Sequence, residues 1–147
     1  MAIVMDAEAL NAYLGVIFPQ IWDSYRIERA DEDGVLARLM VSYAHLRPGG
    51  TISGPSMFTL ADVAVYCAIL SQIGPVELAV TTNASIDFLR KPVAGRDLLA
   101  SCRVLKLGRR LAVADALIRS EGEAQLVARS SMTYAIPQEG PEIRSLE

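Results

Sequence analysis

Residues 54–73 read GPSMFTLADVAVYCAILSQI, a run of apolar and small residues holding one charged side chain, Asp62. Pro55 suits the first turn of a helix, where a missing N–H costs nothing, and Gly74-Pro75 ends it. Apolar residues fall all round this helical cylinder rather than along one stripe, the pattern of a helix buried on most of its surface. Its surroundings must therefore wrap it.

Working outward shows what does the wrapping. Downstream, residues 80–89, 98–107, 111–120 and 124–135 read as strands. Short turns at 92–95, 108–110 and 121–123 predict that these strands are antiparallel neighbours. Upstream, 25–29 and the alternation Val35, Ala37, Leu39, Val41, Tyr43 predict a hairpin across the acidic turn Asp31-Glu32-Asp33-Gly34. Residues 45–53, with Pro48, Gly49 and Gly50, form a loop. Leu10, Tyr13, Leu14 and Ile17 have the spacing of an amphipathic helix over 6–18, capped by Asp6 and stopped by Pro19. The sum is an α+β domain over 1–137, in which a curved antiparallel sheet of about six strands wraps a long central helix. A polar tail follows at 138–147. The edges of such a sheet need cover, so a homodimer that continues the sheet is expected, with a dimer of dimers left open.

Bulk properties exclude several function classes. At 147 residues and 52% hydrophobic, the chain can bury one substantial core. A net charge of -3 gives no basic field for nucleic acid. The N-terminus lacks a signal-peptide pattern. The most apolar stretch, residues 57–70, is interrupted by Asp62 and too short for a membrane span. A single histidine, His45, and two cysteines, Cys67 and Cys102, offer no structural zinc set. The cysteines read as buried free thiols, which makes a reducing cytoplasm the expected compartment. No G-x-S-x-G elbow or phosphate-binding glycine motif is present.

Asp62 is the residue that the fold does not explain. It lies too deep in the helix to be a cap, and aspartate is a poor helix-interior residue. Its helical neighbours Phe58, Val65, Tyr66 and Ile69 are largely apolar. A carboxylate there must be paired, hydrated or shifted in pKa. It either sits on a solvated seam, accepts bonds from a partner chain as a structural group, or is a functional group.

The run from His45 to Ala64 resembles the signature of hotdog thioesterases of the phenylacetyl-CoA thioesterase type. That signature is H-x-N-x-x-G-x-x-H-G-G, four variable residues, then L-A-D-x-A. His45, Gly50, Gly54, Leu60, Ala61, Asp62 and Ala64 match in register. Residues 80–92 resemble the family's next strand and its F-L-R-P ending, and Gly108-Arg109-Arg110 resembles the following turn. In all, the resemblance covers residues 38–135.

This resemblance implies the hotdog fold and hydrolysis of an acyl-CoA, with CoA as part of the substrate and no separate cofactor or metal. It implies that Asp62 is the nucleophile or the general base for water. The N–H at Gly54 would polarise the thioester carbonyl, and a partner-subunit hydroxyl at the place of Thr81 would orient the water. The chemistry is coherent, since a thioester needs an activated oxygen nucleophile and donors aimed at its developing oxyanion. The chain departs from the signature at Arg47, Ser53, Pro55 and Val63, where the family has Asn, His, Gly and often Thr.

The remaining candidates each carry two readings. His45 is a base or substrate contact, or a structural loop residue. Ser53 is a substrate contact or, by preference, the cap of the central helix. Arg47, in the place of the family's Asn, is a substrate contact, while Arg90, Lys91, Arg109 and Arg110 either hold the phosphates of CoA or are solvated turn charges. Asn83 shares a strand face with Asp87; it would contact substrate, while Asp87 pairs with a strand-end cation. Two rival functions remain: a non-catalytic acyl-CoA-binding protein, and an acyl-CoA hydratase or dehydratase with His45 as its base.

Overall fold

In the computed structural model, which describes residues 2–138, the central helix α3 spans Gly54–Ile73, the span expected from the sequence. The expected polar tail at 138–147 lies outside the described residues except for Gln138. Ser53 caps α3 by accepting the Ser56 N–H at 3.2 Å, and Gly74, at a φ of 91°, closes it. By length and hydropathy (mean 1.5) this 20-residue helix would suit a membrane span, contrary to the expectation from 57–70 alone. It is instead a core helix, with 61% of its most apolar window buried against protein.

The wrapping element is one six-stranded antiparallel sheet. Its strands are β1 (Tyr25–Asp31), β2 (Gly34–Leu39), β3 (Val80–Phe88), β4 (Leu98–Leu107), β5 (Leu111–Ser120) and β6 (Leu126–Ala135). Inward residues Ala100 and Cys102 of β4, Ala112, Ala114, Ala116 and Ile118 of β5, and Met132 of β6 are buried around α3. The many alanines let the sheet come close to a helix that is itself rich in alanine and valine. This is the hotdog arrangement.

Two details differ from the sequence reading. β2 ends at Leu39, and Tyr43–His45 form a 3₁₀ turn instead of continuing the strand. More consequentially, β3 does not pair with β4. The order is β1-β2-β4-β5-β6-β3, so β3 lies at the far edge beside β6. The segment 89–97 crosses the ends of β5 and β6 instead of closing a hairpin. Three interstrand steps of about 4.8 Å are within easy reach of that length of chain. The other side of β4 is then free to receive the β1–β2 hairpin, which it does from Val35↔Cys102 to Leu39↔Leu98.

Ahead of the sheet, α1 (Ala7–Ile17) is capped by Asp6, whose Oδ1 accepts the Ala9 N–H at 2.9 Å. Pro19 stops α1 as expected and also starts a short second helix, α2 (Pro19–Trp22). Asn11 ties α1 to β1, exchanging hydrogen bonds with both backbone groups of Ile27.

Candidate functional site

The site begins with a cross-strand pair. Thr81 of β3 stands opposite Tyr134 of β6, and both hydroxyls point at Asp62 on α3. Thr81 Oγ1 and Tyr134 Oη each donate to Asp62 Oδ1 at 2.6 Å, and Tyr134 Oη is also 3.2 Å from the Asp62 carbonyl. Two donors on one oxygen fix the carboxylate. Its Oδ2 accepts no hydrogen bond among the described residues and is not sealed in the core.

A β-bulge makes this possible. The register slips between Thr81 and Asn83, leaving Thr82 as the extra residue, and Thr82 Oγ1 donates to the Thr133 carbonyl. Bulges re-aim side chains in this way. Thr81 faces inward with Tyr134, and beyond the bulge Ala84, opposite Met132, faces inward too. Without the extra residue, strict alternation would place Thr81 and Ala84 on opposite faces. Asn83 therefore lies opposite Thr133 on the other face of the sheet from Thr81, away from Asp62. Asp87 on that outer face pairs with Arg129 at 3.0 Å.

Tyr134 is 3% exposed and leans on Tyr66, ring centroids 6.1 Å apart. Burial, and then the charge of Asp62, push its pKa well above the usual 10, so it remains a donor through neutral pH. Burial likewise pushes the Cys67 and Cys102 thiols far up, which leaves them inert as nucleophiles. Asp62, Thr81, Tyr134 and Tyr66 line a cavity of about 650 Å³, closed on one side by the α1–α2 elbow.

Gly54 lies elsewhere. It lines a separate cleft of about 390 Å³ with Arg47, Phe88, Arg90 and Lys91. A Cβ on Gly54 would come within 3.2 Å of Phe88 Cζ, so the small residue makes room for that ring. The Gly54 N–H has no backbone acceptor among the described residues and opens the N-terminal end of α3. Eight residues of helix put it about 12 Å from Asp62 along the axis. Asp62 and Gly54 thus do not share a pocket in one chain. The hydroxyl against Asp62 is the chain's own Thr81, whereas the sequence resemblance implied a partner's.

Other candidates have structural partners. His45 Nδ1 accepts the Ser42 N–H at 2.9 Å, which leaves Nε2 as its protonated nitrogen when neutral. Among the described residues no carboxylate is one of its hydrogen-bond partners, as a hydratase base would need. Ser53 is the helix cap. Arg90 is held by the Leu126 carbonyl and Gln125 Oε1. Arg109 and Arg110 sit in the β4–β5 turn, next to Leu111, which pairs with Ala135, itself paired with Val80. They are therefore at the Val80 end of β3, whereas Arg47 and Lys91 are at the Phe88 end.

Sequence reading missed Tyr134. Its inward position follows from the alternation Ser130, Met132, Tyr134, all buried, but its place beside Thr81 needs the β3–β6 pairing.

The sequence profile of the thioesterase superfamily matches residues 49–127. A presumed thioesterase of a Silicibacter species, solved as a crystal structure, is 56% identical over 94% of this chain and 96% of its own, with a TM-score of 0.88. A presumed esterase of Pseudomonas aeruginosa is 35% identical over 70% of this chain and 75% of its own. A hypothetical thioesterase of Streptococcus pneumoniae, crystallised with coenzyme A, shares the fold. Its TM-score is 0.74 at 23% identity, over 89% of this chain and 98% of that one.

Proposed function

The chain belongs to the thioesterase superfamily, a family of hydrolases, and on that footing we propose that it hydrolyses acyl-CoA thioesters to a free acid and CoA. The observation that carries the proposal is the tethering of Asp62. Asp62 lines the cavity, and with Oδ1 held by Thr81 and Tyr134, Oδ2 is the carboxylate atom left without a hydrogen bond among the described residues. It attacks the thioester carbonyl, or takes a proton from a water that does. The CoA found in the Streptococcus protein supports CoA as the leaving group.

The oxyanion needs a donor, and Gly54 of the same chain is too far away. β3 is an edge strand exposed along most of its length. A second copy adding its β3 antiparallel, centred near Ala84, would set Val80 and Thr81 of one subunit beside Phe88 of the other. The partner's Gly54 N–H would then face Asp62 across the interface, with Arg47 and Lys91 of that subunit beside it for the CoA phosphates. The active unit is on this reading a homodimer with two composite sites.

The test is thiol release from a panel of acyl-CoAs. Wild type should release CoA, and Asp62→Ala should lower kcat by about 10²–10⁴, the usual contribution of a positioned acid or base. Release that survives Asp62→Ala removes the residue from the mechanism.

A further inference from the structure

We infer that the cavity beside Asp62 is an acyl site selective for uncharged, extended apolar acyl groups, with the α1–α2 elbow and Glu77 as the selecting elements. The inference rests on the thioesterase reading of the same site but concerns the group transferred, not the reaction.

Three observations support it. The first is size: about 650 Å³ falls within the roughly 300–1,000 Å³ of small-molecule sites and leaves much of the space empty around a two-carbon acyl group. The second is the wall. Val16 and Leu78 line the cavity while 79% and 59% exposed, joined by Phe18 and the Tyr66 ring. Apolar side chains left open around a concavity offer burial to a hydrocarbon chain. Tyr66 is held there by its hydroxyl, which lies 3.1 Å from the Glu77 carbonyl and 3.3 Å from that of Val76.

The third is the partition of charge. Asp62 and Glu77 are the charged residues among those lining the cavity, and both are acidic. The cations suited to phosphate, Arg47 and Lys91, line the other cleft. An acyl group ending in a second carboxylate would enter a cavity whose described lining holds two acidic residues and no basic one, which disfavours it on both Coulombic and desolvation grounds. A hydrocarbon end meets no such barrier.

The elbow is the adjustable part. Val16 stands near the end of α1 with its side chain largely exposed, so its size sets how far an acyl chain can extend at little cost to folding.

The experiment uses the full chain and two ligand series. One is straight-chain acyl-CoAs from acetyl to decanoyl, each longer member matched with its ω-carboxyl counterpart. The other is the corresponding S-alkyl-CoA thioethers, which bind without being cleaved. Affinity for the thioethers, by calorimetry, should rise about four-fold per methylene, the value of one buried CH₂, until the wall is reached. The ω-carboxyl ligands should bind at least ten-fold more weakly than their neutral partners. Glu77→Gln should shrink that ratio several-fold, and Val16→Phe should move the preferred length to shorter chains.

Affinity that is flat with length, a preference for the ω-carboxyl series, or ratios indifferent to both substitutions would each overturn the inference. Length-dependent thioether binding with no thiol release from any acyl-CoA would leave the acyl site standing and sink the hydrolase instead.

Discussion

At the scale of single residues, the decisive feature is asymmetry within one carboxylate. A free aspartate presents two equivalent oxygens and rotates; Asp62 has one oxygen held by two hydroxyls at 2.6 Å and one without a hydrogen bond among the described residues. Tyr134→Phe tests the arrangement. A hydrogen bond to a charged group contributes roughly 1.5–3 kcal/mol, so the variant should lose about that in denaturant unfolding. Its kcat should fall about ten-fold or more while KM changes little, because the carboxylate is misplaced while the acyl wall stays intact. A variant with unchanged kcat would mean that Thr81 alone holds the group.

Asp62 was legible in the sequence because a charge in a helix apolar on all sides breaks the local pattern. Tyr134 breaks no pattern: a tyrosine in an amphipathic strand is ordinary, and only tertiary pairing shows its hydroxyl to be aimed. Asn83 fails for the converse reason. Strict alternation groups it with Thr81, and the one-residue bulge at Thr82 sends it to the other face.

Among the elements, α3 and the three strands β3, β4 and β5 were readable to within a residue or so, since their periods and their Gly and Pro boundaries agree. What could not be read was which strands are neighbours. The linker 89–97 contains the Pro and Gly of a tight turn, yet it spans two strand ends, because the competing β2–β4 contact depends on residues 59 to 67 positions apart. The outcome leaves β3 on an edge, with Val80, Phe88 and Leu89 each about half exposed. An edge of that length and polarity is an invitation to pair. Ala84→Lys, at an exposed position midway along the strand, would set two ammonium groups close together across the proposed two-fold. Sedimentation should then show a shift from dimer toward monomer, with thiol release falling in step. Activity retained by a monomer would refute the composite site.

For the molecule as a whole, stability at high pH follows from buried phenols. Burial pushes the Tyr25 pKa up to about 12 and that of Tyr134 further, against 10 in the unfolded chain. Between those values the folded state keeps protons that the unfolded state has lost. The stability these groups contribute is therefore complete below pH 10 and drains away as pH rises toward 12 and beyond. Melting temperature should be level up to about pH 10 and then fall, and Tyr25→Phe should soften the fall. A decline that begins well below pH 10 would place its origin in other groups.

The two thiols locked between helix and sheet have a use in the laboratory. Cys67 is fully buried and Cys102 only 3% exposed, so a disulfide reagent that colours on meeting free CoA is blind to the folded protein. Each chain carries two such silent groups, and they become reactive when α3 leaves the sheet. The reagent that times turnover thus doubles as a clock for unfolding: a slow extra signal of two equivalents per chain, independent of substrate, would report the lifetime of the native state itself.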